Sequence, residues 1–167
     1  DIRTNAILFD MYYMGKSPGD DGTNSEANRI PVTEATPQFR DFYVDNVVCN
    51  GAEKALQIRG LPEMNIKNIN LENLVLKTNK GVEITEATGI SLKNIHLECK
   101  VTSPLVSIKN SNKVAFDHLT YTKAQLLFSV DGKNSSEIKV THTDLTKAAT
   151  QTAFGKGADS HSLMIIK

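Results

Sequence analysis

Residues that could supply acid–base chemistry occur in two short stretches of the sequence. Asp20 and Asp21 form a pair of carboxylates within Gly-Asp-Asp-Gly, and paired carboxyl groups are common general acids and bases. This pair lies in a polar stretch rich in Gly and Pro, where a solvated turn is the ordinary interpretation. Asp159, Ser160 and His161 carry the residue types of a catalytic triad, but adjacent residues rarely converge on one reacting atom. We therefore assign no catalytic residue in this chain.

Two histidines recur at equivalent positions of a sequence repeat and could in principle share a metal ion. They are His118 and His142. No carboxylate or cysteine recurs beside them at the spacing of a metal site. We therefore assign both histidines to a corner of the chain, and we predict no metal site and no cofactor.

A row of basic residues recurs at the same place in the repeat and could hold a polyanion. The row consists of Arg40, Lys67, Lys93 and Lys139. Cationic side chains of this kind bind the carboxylates of a polyuronate. Because Asp45, Glu72 and Glu98 lie close to the row in the sequence, we interpret it instead as the solvated edge of a sheet, where charge prevents aggregation.

Composition limits the classes of function that are open to the chain. The 167 residues are 40% hydrophobic, enough for one domain with a core, and the formal net charge is +0. A nucleic-acid-binding face normally needs a basic excess, so we predict no nucleic-acid partner. No apolar stretch approaches the roughly 20 residues of a membrane-spanning helix, so we predict no membrane span.

The sequence is organised by a repeat whose alternation of apolar and polar residues slips once in each copy. The pattern apolar-x-polar-apolar-x-apolar occurs at positions 39–44, 66–71, 92–97, 116–121 and, in degenerate form, 140–145. A period of 20–50 residues indicates a solenoid. Apolar-x-apolar pairs between the copies, such as "LQI" (56–58) and "VEI" (82–84), predict short strands on the return path.

The slip predicts a one-residue corner within each copy. Both Ile66 and Ile69 can face the core only if the chain bends between them, and Asn68 tolerates the left-handed conformation that such a corner needs. We expect the equivalent residues to stack in one polar ladder: Asp41, Asn68, Asn94, His118 and His142. We also expect two inward columns of apolar side chains, the first with Ile69, Ile95 and Leu119 and the second with Leu71, Leu97 and Tyr121.

These patterns predict an all-β, single-stranded parallel β-helix of about five coils, right-handed, in a single domain. Within it we expect a long polar loop at 14–38, repeat coils at 39–145 and a C-terminal tail or cap at 146–167. A leucine-rich repeat has a similar period and is the competing solenoid, but its return segments are usually helical. Because an apolar strand begins almost at the first residue, we expect the chain to be a fragment.

Two segments resemble a known family of enzymes. "AILFDMYY" (6–13), followed after a polar loop by "TPQFRDFYVDNVVCNGAEKALQIRGLPEMNIKNINLENL" (36–74), is similar to the C-terminal coils of polygalacturonase-like glycoside hydrolases of family 28. The resemblance implies a right-handed parallel β-helix and inverting hydrolysis of galacturonan or related uronic-acid glycosides. It also implies an extracytoplasmic location. The N-T-D, D-D, G-H-G and R-I-K motifs that carry the family's catalysis are missing, since they precede the segment equivalent to "AILFDMYY".

The resemblance implies one substrate-binding residue in this chain. A tyrosine that follows the strand motif reaches the substrate cleft in the family, and alignment of the eight letters places it at Tyr13, or at Tyr12 if the register shifts by one. We expect the C-terminal portion of a pectin-degrading hydrolase, inactive by itself, whose parent chain binds a uronic-acid-rich polysaccharide. The alternative is a non-catalytic β-helix module that binds carbohydrate or is purely structural. We also expect an exposed N-terminal coil through which the fragment could self-associate.

Overall fold

The computed structural model describes residues 2–12 and 31–166, which form twelve β-strands and one short 3₁₀ turn at Ser160–Ser162. Apolar residues that alternate with polar ones produce the strands, because alternate side chains point to opposite faces of a sheet. In chain order the strands are β1 (Ile2–Asp10), β2 (Arg40–Asn50), β3 (Ala52–Arg59), β4 (Ile66–Thr78), β5 (Lys80–Thr85), β6 (Ala87–Cys99), β7 (Val106–Lys109), β8 (Asn112–Tyr121), β9 (Ala124–Asp131), β10 (Ile138–Thr141), β11 (Ala148–Phe154) and β12 (Leu163–Ile166).

The strands are divided between two parallel sheets. The odd sheet has the order β1-β3-β5-β7-β9-β11, and the even sheet has the order β2-β4-β6-β8-β10-β12. Each strand therefore pairs with the strand two places further along the chain, so that one coil contributes one strand to each sheet. The predicted parallel β-helix of about five coils is confirmed. The leucine-rich repeat is excluded for the described residues, because their return segments are strands.

Corners in the left-handed conformation bend the even strands, as the slip in the repeat predicts. The backbone angle φ is +65° at Asp41, +54° at Asn68, +53° at Asn94, +54° at His118 and +47° at His142. Each corner turns two successive residues outward, so that apolar residues on both sides of it reach the core. In β8, for example, Asp117 and His118 lie between the buried Phe116 and Leu119.

The predicted single ladder is wrong, because the corners form two columns that lie five residues apart. The first corner column contains Asp41, Asn68, Gly89, Lys113 and Glu137, and the second contains Asn46, Asn73, Asn94, His118 and His142. Both columns advance by 27, 21, 24 and 24 residues along the chain. The pattern apolar-x-polar-apolar occurs at both corners of β4, so that the short step of 21 residues stacks Asn94 on Asn73 and not on Asn68.

The inward columns change accordingly. Ile95 stacks on Leu74 and under Leu119, whereas Ile69 stacks under Ile90. Likewise Leu71 is paired with Leu92, and the column of Leu97 and Tyr121 continues through Leu76 to Cys49 in β2. The assignment of all six predicted residues to the core is nevertheless confirmed, because each is at most 2% exposed.

Both ends of the solenoid have strands with a single partner strand among the described residues. At the N-terminal end these strands are β1 and β2. Phe42 is 42% exposed there, whereas Ile69, its partner in the next coil, is fully buried. At the other end, residues 146–167 contain β11 and β12, which continue both sheets. Self-association through the N-terminal end stays a prediction.

The predicted polar loop at 14–38 lies mostly outside the described residues. Residues 31–38 contain a turn and no strand. This segment belongs to the connection from β1 to β2, which is also where the odd sheet passes into the even sheet. In the next coil the same passage is made by residues 60–65.

Candidate functional site

The substrate-binding residue that the resemblance implies, Tyr13, lies outside the described residues, and so do Asp20 and Asp21. The alternative, Tyr12, is the second residue after β1. It lies beside Asp10, the last residue of β1, and Arg59, the last residue of β3. We refer to Asp10, Tyr12 and Arg59 as the Tyr12 cluster.

The pairing of β1 with β3 brings the Tyr12 cluster together. Asp10 and Arg59 are partners in the register of the two strands. The Arg59 guanidinium donates from Nε to Oδ1 of Asp10 at 3.0 Å and from Nη2 to Oδ2, so the contact is bidentate. The Tyr12 backbone N–H also donates to Oδ1 of Asp10 at 2.9 Å. Cζ of Arg59 lies 5.2 Å from the centre of the Tyr12 ring, within the range of a cation–π contact. The ring therefore lies against a guanidinium group that is itself anchored by Asp10.

The charges around the cluster set the ionisation of its members. Burial of Asp10 opposes its ionisation, but the hydrogen bonds from Arg59 and from the Tyr12 backbone outweigh it and lower the pKa of the Asp10 carboxyl. Burial of Tyr12, followed by the negative charges of Glu63 and Glu86, raises the pKa of the Tyr12 hydroxyl to about 12. The phenol is therefore protonated at any pH near neutrality.

The Tyr12 hydroxyl has no hydrogen-bond partner among residues 2–12 and 31–166. A protonated phenol on a fixed ring is a preorganised donor, and Arg59 beside it supplies a positive charge. Sugar hydroxyls and carboxylates are acceptors that suit such a pair. The sequence named Tyr12 only as an alternative position. It gave no signal for Arg59, because the contact depends on the register of β1 with β3, and the long connection of residues 11–39 lies between the two strands in the sequence.

The predicted basic row does not form one surface. Arg40 and Lys67 are stacked neighbours, but the next residue in their column is Thr88. Lys93 lies in a different column, between Glu72 and Asp117, and its Nζ is 2.9 Å from Oε1 of Glu72. Lys67 precedes a corner of the first column and Lys93 a corner of the second, so the row is divided in the same way as the ladder. The ion pair between Lys93 and Glu72 is consistent with the interpretation of these basic residues as part of a charge-balanced sheet edge.

The two corner histidines lie together, and a carboxylate accompanies them. Their rings are stacked with centroids 4.7 Å apart. Asp117 Oδ1 is 3.0 Å from Nδ1 of His118 and 2.7 Å from Nδ1 of His142. The sequence-based prediction concerned only a carboxylate that recurs beside both histidines, whereas a single carboxylate, Asp117, contacts both rings because the corner turns Asp117 and His118 to the same side. Strict alternation along a strand would have pointed them to opposite faces.

The part of the chain that the structure describes contains no helix of the length and hydrophobicity that a membrane crossing needs. Comparison with family models, with curated proteins and with solved structures gives no match for this chain.

Proposed function

We propose that this chain is part of a polysaccharide-active β-helix enzyme of the galacturonan-degrading type and contributes substrate-binding groups to it. The proposal rests on the resemblance of residues 6–13 and 36–74 to family 28 glycoside hydrolases. The parallel β-helix is the fold that this resemblance implies, and it supports the proposal at the level of architecture. The proposed ligand is a uronic-acid-rich polysaccharide, which would place the protein outside the cytoplasm.

The observation that carries the proposal is the Tyr12 hydroxyl, a fixed and protonated donor beside the Arg59 guanidinium. Uronate sugars present carboxylate and hydroxyl oxygens, which accept hydrogen bonds from both groups. Asp10 already binds Arg59, so a sugar carboxylate would share the guanidinium with it. The contribution of Arg59 is therefore mainly to orient the ring.

We propose no acid or base within this chain. An inverting hydrolase needs two carboxyl groups about 6.5–9.5 Å apart with space for a water molecule between them. Asp10, the carboxylate of the Tyr12 cluster, is held ionised by a bidentate contact with Arg59, so it is poorly suited to donate a proton. The catalytic carboxylates would come from the rest of the parent enzyme.

One observation favours the alternative, a purely structural β-helix module. Acidic and basic side chains on neighbouring coils neutralise one another along the solenoid, which leaves little charge for a polyanion. Such pairs are Lys54 with Glu83, Lys77 with Glu98, Lys80 with Glu53 and Lys93 with Glu72. A structural module would bind no polyuronate at all.

Isothermal titration of the chain with oligogalacturonates distinguishes the two functions. We expect Tyr12→Phe to weaken binding about threefold to tenfold, because it removes one hydrogen bond worth about 1 kcal/mol and keeps the ring. The matched control is Tyr43→Phe, which removes a hydroxyl bonded to Glu72 on the even sheet and should leave binding unchanged. Absence of binding, or equal affinity for Tyr12→Phe and the original chain, would contradict the proposed site. Release of reducing ends by this chain alone would contradict the assignment of catalysis to other residues.

A further inference from the structure

Asp117, His118 and His142 converge at one point on the outer surface of the even sheet. One potential ligand atom from each residue lies within 4.8 Å of the others. Register produces this arrangement, since Thr141 is paired with Asp117 and His142 consequently stacks on His118. The two imidazole side chains are 54% and 63% exposed, and Asp117 is 34% exposed. The cluster is therefore open to ions from solvent.

The corner itself does not need imidazole rings. Three coils lower in the same column, Asn46 and Asn73 stand in the places of His118 and His142, and Asp45 precedes Asn46 as Asp117 precedes His118. There the Asn73 amide donates to Oδ1 of Asp45 at 2.8 Å, as Nδ1 of His142 does to Asp117. Asparagine thus makes the same corner with the same contact. What the histidines add is a pair of ring nitrogens that can bind a metal.

We infer that Asp117, His118 and His142 form a binding site for one divalent transition-metal ion, with Zn²⁺ as the reference ion. Neutral imidazole and carboxylate are ligands that Zn²⁺ takes at about 2.0–2.2 Å. Tetrahedral ligand atoms at that bond length are about 3.3 Å apart. The separations of 3.0 and 2.7 Å between Nδ1 and Oδ1 need to widen slightly, and the two stacked rings need to turn so that both Nδ1 atoms point at one ion. Both rings have exposed side chains that can rotate to do so.

Binding changes the tautomer of both rings without a net release of protons from neutral histidines. Without metal, each Nδ1 faces the Asp117 oxygen and carries the proton, because a carboxylate only accepts hydrogen bonds. With metal, the proton is carried by Nε2, and the lone pair of Nδ1 is directed to the ion. Three protein ligands leave the fourth position of the tetrahedron to water.

Neighbouring groups fix the carboxylate and leave it available. The Thr141 hydroxyl lies 2.9 Å from Oδ1 of Asp117 and anchors it from the adjacent coil. Lys93 stacks beneath Asp117 but is paired with Glu72 at 2.9 Å, so its ammonium group is engaged elsewhere. Two nitrogens and one oxygen favour Zn²⁺, Ni²⁺ or Cu²⁺ over Ca²⁺, which takes six to eight oxygen ligands.

Calorimetric titration of the chain with zinc chloride tests the site, with calcium chloride as the control ion. We expect one Zn²⁺ per chain and no heat of binding with Ca²⁺. The decisive variant is His118→Asn combined with His142→Asn, which converts the corner to the asparagine type already present at Asn46 and Asn73. It should fold as the original chain does, as checked by circular dichroism, and should lose Zn²⁺ binding. Asp117→Asn should weaken binding at least about tenfold, because even outer-shell partners of metal ligands contribute that much.

The two remaining histidines provide matched controls. His96 contacts Thr120 and, among the described residues, no carboxylate, and His161 lies in the C-terminal turn. The double variant His96→Gln with His161→Gln should bind Zn²⁺ as the original chain does. Equal Zn²⁺ affinity for the double asparagine variant and the original chain would overturn the site, and so would loss of binding in the glutamine control. Failure of the original chain to bind Zn²⁺ at millimolar concentration would also overturn it. None of these outcomes depends on polysaccharide binding, so this test and that of the proposed function can fail separately.

Discussion

Truncation of one core side chain gives a quantitative test of the column arrangement. Ile95 is 1% exposed and lies between Leu74 and Leu119 in the even sheet. Ile95→Ala removes three carbon atoms, which at about 0.8 kcal/mol each corresponds to about 2.4 kcal/mol of lost burial. The cavity adds to this cost, because strands held in register above and below cannot collapse into it. We therefore expect a loss of about 2–5 kcal/mol in the free energy of unfolding.

Urea unfolding followed by far-ultraviolet circular dichroism measures this loss. The control is Lys93→Ala on the same strand, whose side chain is 50% exposed and whose ion pair with Glu72 lies at the surface. It should leave the free energy of unfolding nearly unchanged, because an exposed ion pair contributes little to stability. A double-mutant cycle adds the register to the test, since Ile95 should couple more strongly to Leu74 than to Ile69. Equal destabilisation by Ile95→Ala and Lys93→Ala, or stronger coupling to Ile69, would refute the assignment.

Two further predictions concern a tight corner and the response to acid. Gly132 has φ of +87°, and a Cβ atom there would lie 2.0 Å from Oδ1 of the buried Asn110, so Gly132→Ala should cost at least about 1–3 kcal/mol in urea unfolding. Gly89→Ala, where the nearest atom at 3.0 Å belongs to the exposed Asn68 side chain, should cost less, and the reverse order would contradict the corner geometry. Because the folded-state pKa of Asp10 lies below its ordinary value of 3.8, its contribution to stability is present above pH 3.8 and is lost as the pH falls further. Asp10→Asn should therefore flatten the decline of thermal midpoint with acid, and an unchanged decline would contradict a folded-state role for its contact with Arg59.

Local geometry could be predicted from the sequence, but stacking could not. The slip in alternation at Asn68 identifies a left-handed corner because only local backbone sterics are involved. The partner of that corner depends on how many residues the intervening coil contains. Asn68 and Asn73 have the same local pattern, so the sequence could not decide which of them stacks under Asn94. The odd-to-even passages differ in length from coil to coil, and that variation defeats any fixed period.

For the candidate sites too, single residues could be named from the sequence, but their contacts could not. Tyr12 could be named from a resemblance, and His118 and His142 could be named from their common position in the repeat. Arg59 and Asp117 could not be assigned to them, because each contact depends on register or on the direction of a side chain at a corner. The interpretation of His118 and His142 as corner residues is consistent with their backbone angles. The carboxylate of Asp117 completes the set of ligands on which the proposed metal site depends.

The connections between the two sheets differ widely in length, whereas every strand pairs with a strand of an adjacent coil. A single residue, Glu86, joins β5 to β6, and Asn110 with Ser111 joins β7 to β8, whereas residues 11–39 join β1 to β2. Since every strand finds its partner one coil away, a passage can lengthen without shifting the register of the strands beside it. In such a scaffold, residues inserted at a passage lengthen a surface connection and leave the stacked columns of the core in place.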